Sequence, residues 1–295
     1  MAPNASRRTL PTRTVGPGGF AYGAVMADRV LEVSELSVRR QGATVVDRVS
    51  FRLEAETDTA LVGPNGAGKS SLVQAILGIV PHAGGEVRLL GHRLGPHGAL
   101  PAAVREQVAY LPQTLTPPGR FPLRVEEFVS LGWHRVGPSL PWRGRRACRQ
   151  AVSLALEKTC STALADRLLS DLSIGERKRV LLAFCVVRPR RLLLLDEAQA
   201  GLDARTAEQF HALLFSLRRS EGWTILQVSH DLEMVRRTCD AVLCLNRSLR
   251  CSGHPDHALS PSQLERLYGT AWVPYHHNHG HAPSQASTPP PERLS

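Results

Sequence analysis

Apolar residues alternate with polar ones in some segments of the chain and run together in others. Near the N-terminus, Val30–Val33, Glu35–Val38 and Val49–Glu54 alternate or cluster their apolar positions, which predicts short antiparallel strands. Further on, Leu192–Asp196 is an apolar run that ends in a carboxylate, and Trp223–Val228 is a second largely apolar run. Because a strand covered on both faces carries apolar residues at nearly every position, these two runs predict central parallel strands.

Between the predicted strands, apolar residues recur with a helical period. The pattern predicts a helix that begins near residue 70, a helical region over about 125–172, and another helix over about 204–219. Repeated alternation of strands and helices is typical of an α/β core built on a parallel sheet. The chain therefore belongs to the α/β class.

A glycine-rich segment joins the apolar run Thr59–Val62 to the helix predicted after it. The segment matches the phosphate-binding pattern G-x-x-x-x-G-K-[ST], which requires this order of strand, turn and helix. Its glycines let the backbone turn tightly with N–H groups towards phosphate oxygens, and the following helix N-terminus adds partial positive charge. Lys69 can reach the β- and γ-phosphates, and the Ser70 hydroxyl can ligate Mg²⁺. The predicted nucleotide-binding residues of this loop are Gly63, Pro64, Asn65, Gly66, Ala67, Gly68, Lys69, Ser70 and Ser71.

Two adjacent carboxylates end the first of the predicted buried strands. Asp196 comes at the strand end and Glu197 follows it. Ligands of α/β proteins collect at the carboxyl edge of the sheet, so Asp196 can supply a carboxylate to Mg²⁺ there. Glu197 can polarise a water molecule that attacks a phosphate. Together with the phosphate loop, the pair predicts nucleotide hydrolysis.

Several further motifs stand in a fixed order along the chain. They are Gln113 in YLPQ, Leu172–Glu176 in LSIGE, Asp196–Asp203 in DEAQAGLD and His230 in VSHDL. With the phosphate loop, these motifs make about residues 31–253 resemble the nucleotide-binding subunit of an ATP-binding cassette (ABC) transporter. The resemblance implies a P-loop NTPase of the ABC ATPase type, with a mixed sheet core, an antiparallel β subdomain and an inserted helical subdomain at about 115–172.

The resemblance also implies a role for several polar residues of these motifs. Gln113 would touch Mg²⁺ or water and link the helical subdomain to the core, and His230 would contact the γ-phosphate. The implied catalytic residues are Glu197, His230, Lys69 and Gln113, and the implied Mg²⁺ ligands are Ser70, Gln113 and Asp196. ATP and Mg²⁺ are the implied cofactors.

A dimer follows from the same resemblance. In the family, the loop at Leu172–Glu176, here called the signature loop, contacts ATP bound to the opposite subunit. The resemblance therefore implies a head-to-tail homodimer that encloses two ATP molecules. The segment Asp196–Asp203 combines the carboxylates with what the family calls the D-loop. Ser173, Gly175 and the D-loop residue Asp203 are the additional residues implied to contact nucleotide.

The chain departs from the family pattern at several positions. In the signature loop, Ile174 replaces the first glycine and Glu176 replaces glutamine. Arg39 and Arg40 stand where an adenine-stacking aromatic is expected, and an arginine plane can also stack on a base. None of these changes removes a catalytic group, so we predict an active ATPase.

Composition places limits on the rest of the chain. Its 295 residues, 42% of them apolar, suffice for one large domain with an inserted subdomain. We expect a disordered N-terminal extension over 1–28, the nucleotide-binding domain over 29–254, and a His-rich then Pro/Ser-rich tail over 255–295. No apolar stretch approaches the roughly 18–20 residues of a membrane span.

Charge and cysteines add little to the assignment. A net charge of +10 can indicate nucleic acid or anionic lipid, but here it is mostly an excess of arginine, and no nucleic-acid partner is predicted. The six cysteines are scattered without paired motifs. They are typical of reduced thiols in a cytosolic protein.

Two features bear on the cargo. Tyr110–Gly132 resembles the corresponding stretch of metal-cation importers, and Tyr268 and Gly269 followed by a His-rich end resemble zinc and manganese uptake subunits. The tail histidines His276, His277, His279 and His281 are a candidate contact for Zn²⁺ or a similar cation. A polar tail with histidines of no function is the alternative.

These observations predict the energy-coupling ATPase of an importer for a divalent metal cation, zinc or manganese. It would lie on the cytoplasmic face of the membrane as a peripheral homodimer, with an integral membrane permease and an extracytoplasmic metal-binding protein. Another cargo, such as an iron chelate, stays an alternative. A soluble ABC ATPase that acts on ribosomes or DNA is a further one, although the chain has a single phosphate loop.

Overall fold

The computed structural model describes residues 29–113, 122–133 and 144–269. The strands in these ranges are β1 (Arg29–Arg40), β2 (Ala43–Glu54), β3 (Asp58–Val62), β4 (Gly84–Leu89), β5 (His92–Leu94), β6 (Val108–Leu111), β7 (Leu192–Asp196), β8 (Thr224–Val228), β9 (Ala241–Asn246) and β10 (Ser248–Gly253). The α-helices are α1 (Lys69–Ile76), α2 (Ala102–Arg105), α3 (Val125–Leu131), α4 (Arg145–Lys158), α5 (Ile174–Val186), α6 (Ala204–Glu221), α7 (Leu232–Thr238), α8 (Pro255–Ala258) and α9 (Pro261–Tyr268).

The strands form two sheets. One has four antiparallel strands in the order β2-β1-β4-β5, and the other has six in the order β10-β9-β3-β8-β7-β6. In the second sheet, β9, β3, β8, β7 and β6 are parallel, and β10 pairs antiparallel to β9. The predicted mixed α/β architecture is confirmed.

The N-terminal strand is longer than its apolar pattern predicts. Val30–Val33 and Glu35–Val38 belong to the single strand β1, whose register with β2 shifts between Val33 and Leu36. Glu35 has a φ of +49° at this irregularity. An extra residue in one strand reverses the faces of the residues that follow it, so the bulge divides one strand into two apparent patterns.

The helices on one side of the parallel sheet form a hydrophobic core with it. Helices α3, α4 and α5 pack on one another, and Phe128 on α3 stacks on Phe184 on α5 with ring centroids 5.1 Å apart. Buried residues of α6 and the inner face of β7 join this core. Helix α5 therefore continues the helical layer beyond the predicted limit at residue 172 and attaches it to the sheet.

The folded region extends beyond the predicted domain end at residue 254. Residues 255–268 form α8 and α9, and Leu259, Leu264 and Leu267 are buried against Val235 and Cys244. The boundary prediction missed them because the segment is short and rich in polar residues, with few large apolar residues to mark its inner side. The predicted extension over 1–28 and the tail from residue 270 onwards lie outside the described residues.

Two cysteines differ from the expectation of reduced thiols. Cys244 on β9 and Cys251 on β10 are joined by a disulfide. The register pairs these two residues across the antiparallel strands, with their Cα atoms 4.9 Å apart. Spacing along the sequence does not show this pairing because it arises from the turn between β9 and β10.

A buried carboxylate lies at the start of β3, away from the phosphate loop. Burial raises the pKa of Asp58 to about 6, although hydrogen bonding from Gln227 and the charge of Arg218 oppose the rise. The Gln227 amide donates to the Asp58 carboxylate at 2.8 Å. The folded chain therefore holds a proton at this site in a pH range where the unfolded chain has already lost it.

This pKa difference predicts a pH effect on stability. The contribution of Asp58 is fully present below its unfolded pKa near 4 and is lost as pH rises through about 6. A difference of about two pKa units corresponds to about 3 kcal/mol. The free energy of unfolding of each chain would be measured in denaturant at pH 4 and at pH 7. We expect its change over this range to differ between the chains, with a fall that is about 3 kcal/mol smaller in Asp58→Asn than in the native chain. Equal losses in both chains would contradict this assignment.

Candidate nucleotide-binding and hydrolysis site

The phosphate loop lies between the end of β3 and the start of α1 and is confined by two other strands. Gly63 has φ +155°, and a Cβ there would lie 2.0 Å from the carbonyl oxygen of Leu245. Gly68 has φ +97°, and a Cβ there would lie 2.4 Å from the carbonyl oxygen of Val45. Both positions require glycine because a side chain would collide with backbone atoms.

Backbone carbonyl groups of the phosphate loop hold the Lys69 side chain inside the loop. Its ammonium donates to the carbonyl oxygens of Gly63 at 2.8 Å and Pro64 at 3.0 Å, and the residue is only 6% exposed. Burial lowers the pKa of Lys69, while the carboxylates of Glu197 and Asp196 oppose that shift. The lysine is thus a buried cation aimed into a backbone cradle, an arrangement suited to phosphate oxygens.

Asp196 and Ser70 meet at the carboxyl edge of the parallel sheet. The Ser70 hydroxyl donates to the Asp196 carboxylate at 3.1 Å, and the Tyr110 hydroxyl donates to its other oxygen at 3.4 Å. Burial raises the pKa of Asp196, against the hydrogen bond from Ser70. Hydroxyl and carboxylate oxygens are the ligands that Mg²⁺ prefers, so Ser70 and Asp196, two of the three predicted ligands, fit the ion.

Glu197 is held between two other predicted catalytic residues. Gln113 donates through Nε2 to one carboxylate oxygen at 2.6 Å, and His230 Nε2 lies 2.6 Å from the other. Glu197 has a φ of +49°, in the left-handed region that β-strands do not use. The chain turns sharply here, so the carboxylate points into the site instead of continuing along β7.

The signature loop lies apart from this cluster and beside the D-loop. Ser173 is exposed at the N-cap of α5, and Glu176 closes a capping box with it. Asp203 caps α6 by accepting from the Thr206 N–H at 3.0 Å and hydroxyl at 2.7 Å, which lowers the pKa of Asp203. A Cβ on Gly175 would lie 2.6 Å from the Thr206 methyl on α6, and a Cβ on Gly201 of the D-loop would lie 3.6 Å from the Ile174 side chain, so the signature loop is in close contact with the D-loop and the start of α6.

The structure thus separates the predicted site residues into two groups. The first contains Lys69, Ser70, Gln113, Asp196, Glu197 and His230, at one edge of the parallel sheet. The second contains Ser173, Gly175 and Asp203. His276, His277, His279 and His281 lie outside the described residues.

Sequence reasoning missed some members of the site. The motifs and the resemblance to metal-cation importers include Tyr110 but give its side chain no role, yet its hydroxyl contacts Asp196. Burial, and then the Asp196 charge, raise the pKa of Tyr110 to about 12, so the hydroxyl keeps its proton and can donate. Its place three residues before Gln113, on the strand next to β7, is the signal that could have found it. A second contact also was not predicted: Arg40 donates to the side-chain oxygen of Gln74 on α1.

A family model described as ABC transporter matches residues 46–200, more than half of the chain. The chain belongs to the ABC transporter family. The resemblance seen in the motifs is thereby confirmed, and the matched region contains the phosphate loop, the signature loop and both carboxylates of the site.

Curated ABC relatives match most of the chain. A zinc import ATP-binding protein ZnuC of Pseudomonas savastanoi pv. phaseolicola is 33% identical over 260 residues, which cover 87% of this chain and 89% of that protein. The protein of the same description from Cereibacter sphaeroides is 36% identical over 241 residues, covering 81% and 88%. This ABC subunit is thus similar to those relatives over nearly their whole length.

Solved structures of ABC ATPases share the fold. The structure of cbiO1 from Clostridium perfringens, described as part of the ABC transporter complex cbiONQ, superposes with a TM-score of 0.69 at 28% identity and covers 81% of this chain and 94% of that one. The ADP conformation of the ATP-binding cassette MJ1267 superposes with a TM-score of 0.71 at 22% identity, covering 81% and 98%. Among the described residues of this ABC subunit, no helix combines the length and apolarity that crossing a bilayer requires.

Proposed function

We propose that this chain is the ATP-hydrolysing subunit of an ABC importer for zinc, peripheral on the cytoplasmic face of the membrane. The observation that carries the proposal is the position of Glu197, held by Gln113 and His230 beside the phosphate loop. It occurs in a chain similar over most of its length to proteins described as zinc import ATP-binding proteins.

The phosphate loop and the sheet edge would bind ATP with Mg²⁺. Lys69 is a buried cation within a ring of backbone groups, so it would draw the β- and γ-phosphates into the loop. Ser70 and Asp196 would hold Mg²⁺. When bound, the ion supplies positive charge that neutralises the phosphate oxygens during transfer.

Glu197 would act on the attacking water. A carboxylate that accepts hydrogen bonds from two sides has a fixed orientation, which is what a general base needs to take a proton from a water molecule. His230, bonded to it, would also lie within reach of the γ-phosphate and would hold the carboxylate in place. Gln113 would tie this arrangement to the helical layer that follows it in the chain.

Two copies of the chain would complete each site. Ser173 and Ile174 are exposed, and their loop contacts the D-loop, so both loops form part of one surface. The family resemblance places this surface against the nucleotide of a second copy. A helix N-terminus with an exposed serine hydroxyl suits the γ-phosphate of ATP, and we propose that the homodimer closes around two ATP molecules in this way.

An apolar groove supports a permease partner. The groove has a volume of about 250 Å³ and is lined by Leu77, Ile79, Leu100 and Tyr110 among others. Ile79 is 58% exposed, although it is a large apolar residue. We propose that a short helix of the membrane permease lies against this groove and inserts an apolar side chain into it. Because Tyr110 also contacts Asp196, movement of that helix would reach the predicted Mg²⁺ site directly.

The cargo is tested by reconstitution. The chain, its permease and the extracytoplasmic metal-binding protein would be assembled in proteoliposomes, and ATP-dependent uptake of zinc, manganese and a ferric chelate compared. We expect zinc uptake that stops when Glu197→Gln replaces the native chain. Uptake of manganese or of the iron chelate in preference to zinc would reject zinc as the cargo, and ATP hydrolysis without any uptake would reject the importer.

A further inference from the structure

The signature loop carries a negative charge at a place where a phosphate is expected. Glu176 lies in the first turn of α5, three residues after the N-cap Ser173. The N–H groups at a helix N-terminus favour anions, and an ionised carboxylate close by would repel a triphosphate that approaches the same end. Something must therefore hold and neutralise this carboxylate if the loop is to face ATP.

Glu176 is fixed by a reciprocal capping box. Its carboxylate accepts from the Ser173 backbone N–H at 2.8 Å, and its own N–H donates to the Ser173 hydroxyl oxygen at 3.3 Å. The serine hydroxyl thus uses a lone pair within the loop, and it also interacts with the Glu176 carboxylate, whose pKa it helps to lower. Its O–H can rotate from this carboxylate to an incoming acceptor.

Arg167 binds the second oxygen of the same carboxylate. Its Nη1 donates to Glu176 at 2.9 Å, and its Nη2 donates to the carbonyl oxygen of Asp171 at 2.6 Å. The forked guanidinium therefore joins α5 to the turn before the signature loop. The backbone oxygen of Arg167 in turn accepts from the Val125 N–H at 3.0 Å, so the arginine is anchored on α3.

The ion pair between Arg167 and Glu176 matters because it neutralises the Glu176 charge. The side chains of Arg167 and Glu176 are 43% and 23% exposed, and an ion pair of that exposure adds little to the stability of one chain. Its effect grows when a second surface covers it, because an unpaired charge in a desolvated interface is costly. Hydrogen bonds from Ser173, and then Arg167, lower the pKa of Glu176, so the carboxylate stays ionised.

We propose that Arg167 is a positioning residue of the signature loop. It neutralises Glu176 and holds it back against the loop, so that the Ser173 hydroxyl and the start of α5 can accept the triphosphate of ATP bound to a second copy of this chain. The inference rests on the proposed dimer and adds to it a residue that sequence reasoning did not single out. Arg167 acts through Glu176 and does not itself touch the nucleotide.

The test is a comparison of one substitution in two backgrounds. Full-length chains that carry Glu197→Gln, which preserves bound ATP, are titrated with ATP and Mg²⁺, and the ATP concentration at half-maximal dimerisation is measured by sedimentation. We expect Arg167→Ala to raise this midpoint about tenfold when Glu176 is present. With Glu176→Gln also present, which keeps the capping acceptor without its charge, we expect Arg167→Ala to raise it less than about twofold.

Three measurements keep the result specific. Arg167→Lys, which retains the charge, should lie closer to the parent than Arg167→Ala does. Arg266→Ala on α9, an exposed arginine outside the loop, should leave the midpoint unchanged. Binding of a fluorescent ATP analogue by the monomer at low protein concentration should be equal in all variants, because it reports the phosphate loop.

The outcomes separate the inference from the function on which it rests. An equal effect of Arg167→Ala in both backgrounds, or no effect in either, would overturn the role of Arg167 while leaving the dimer intact. A parent chain that stays monomeric at saturating ATP would overturn the dimer itself, and the inference with it. Rescue by Glu176→Gln supports the charge-balancing role, since a purely structural loss would not depend on the charge at residue 176.

Discussion

Glu197→Gln should reduce ATP turnover about 10³-fold, the order expected when a general base is lost, while ATP binding is retained. The substitution keeps the size of the side chain and the ability to accept from Gln113, but it removes the carboxylate that would take a proton from water. ATP should then persist in the site, and the closed dimer should accumulate. Phosphate release measures the first effect, and sedimentation with ATP and Mg²⁺ measures the second.

The matched control for this variant is Glu265→Gln on α9. Glu265 is exposed and lies outside both groups of site residues, so the same chemical change there should leave turnover at the native rate. Normal turnover in Glu197→Gln would mean that another group activates the water. Loss of ATP binding in that variant would instead indicate that the carboxylate supports the loop structurally.

Lys69→Met should reduce turnover about 100- to 1,000-fold and weaken ATP binding, since it removes a preorganised charge from a water-poor site. Methionine fills a similar volume, so the loop should keep its shape while the ammonium that donates to Gly63 and Pro64 is lost. The phosphates would then meet backbone N–H groups without the nearby cation. Titration with a fluorescent ATP analogue gives the affinity, and phosphate release gives the rate.

Lys158→Met is the corresponding control. Lys158 forms an ion pair with Glu221 at 2.5 Å, between α4 and α6, and its loss should change stability slightly without altering ATP affinity. If Lys69→Met bound ATP as tightly as this control, the phosphates would not be held where the loop geometry indicates. Equal unfolding midpoints for the two variants would show that a difference in their ATP affinity does not come from a difference in stability.

The parts of the fold that follow from local pattern could be predicted from the sequence. The buried runs at Leu192–Asp196 and Trp223–Val228 became central parallel strands, because complete burial leaves a continuous apolar pattern. The bulge at Glu35 could not be predicted in this way, since a local register shift makes one strand look like two. The helices over 255–268 also were missed, because a few leucines decide their packing on an existing surface.

The candidate site shows the same division. The phosphate loop is recognised from residues that are contiguous, and its chemistry depends on glycine and lysine at set spacings. Tyr110 and Asp196 are far apart in sequence and meet only because β6 and β7 are neighbours in the sheet. The contact of Arg167 with Glu176 likewise depends on how the turn before α5 folds back on its first turn.

By itself, then, the sequence determined the fold class, the phosphate loop and the identity of the groups around the nucleotide, because these depend on short segments and their order. Only the tertiary structure decided which groups touch: Glu197 between Gln113 and His230, and the signature loop beside the D-loop. Hydrogen bonds act over about 3 Å, and distances on that scale between remote segments are set by packing of the whole chain.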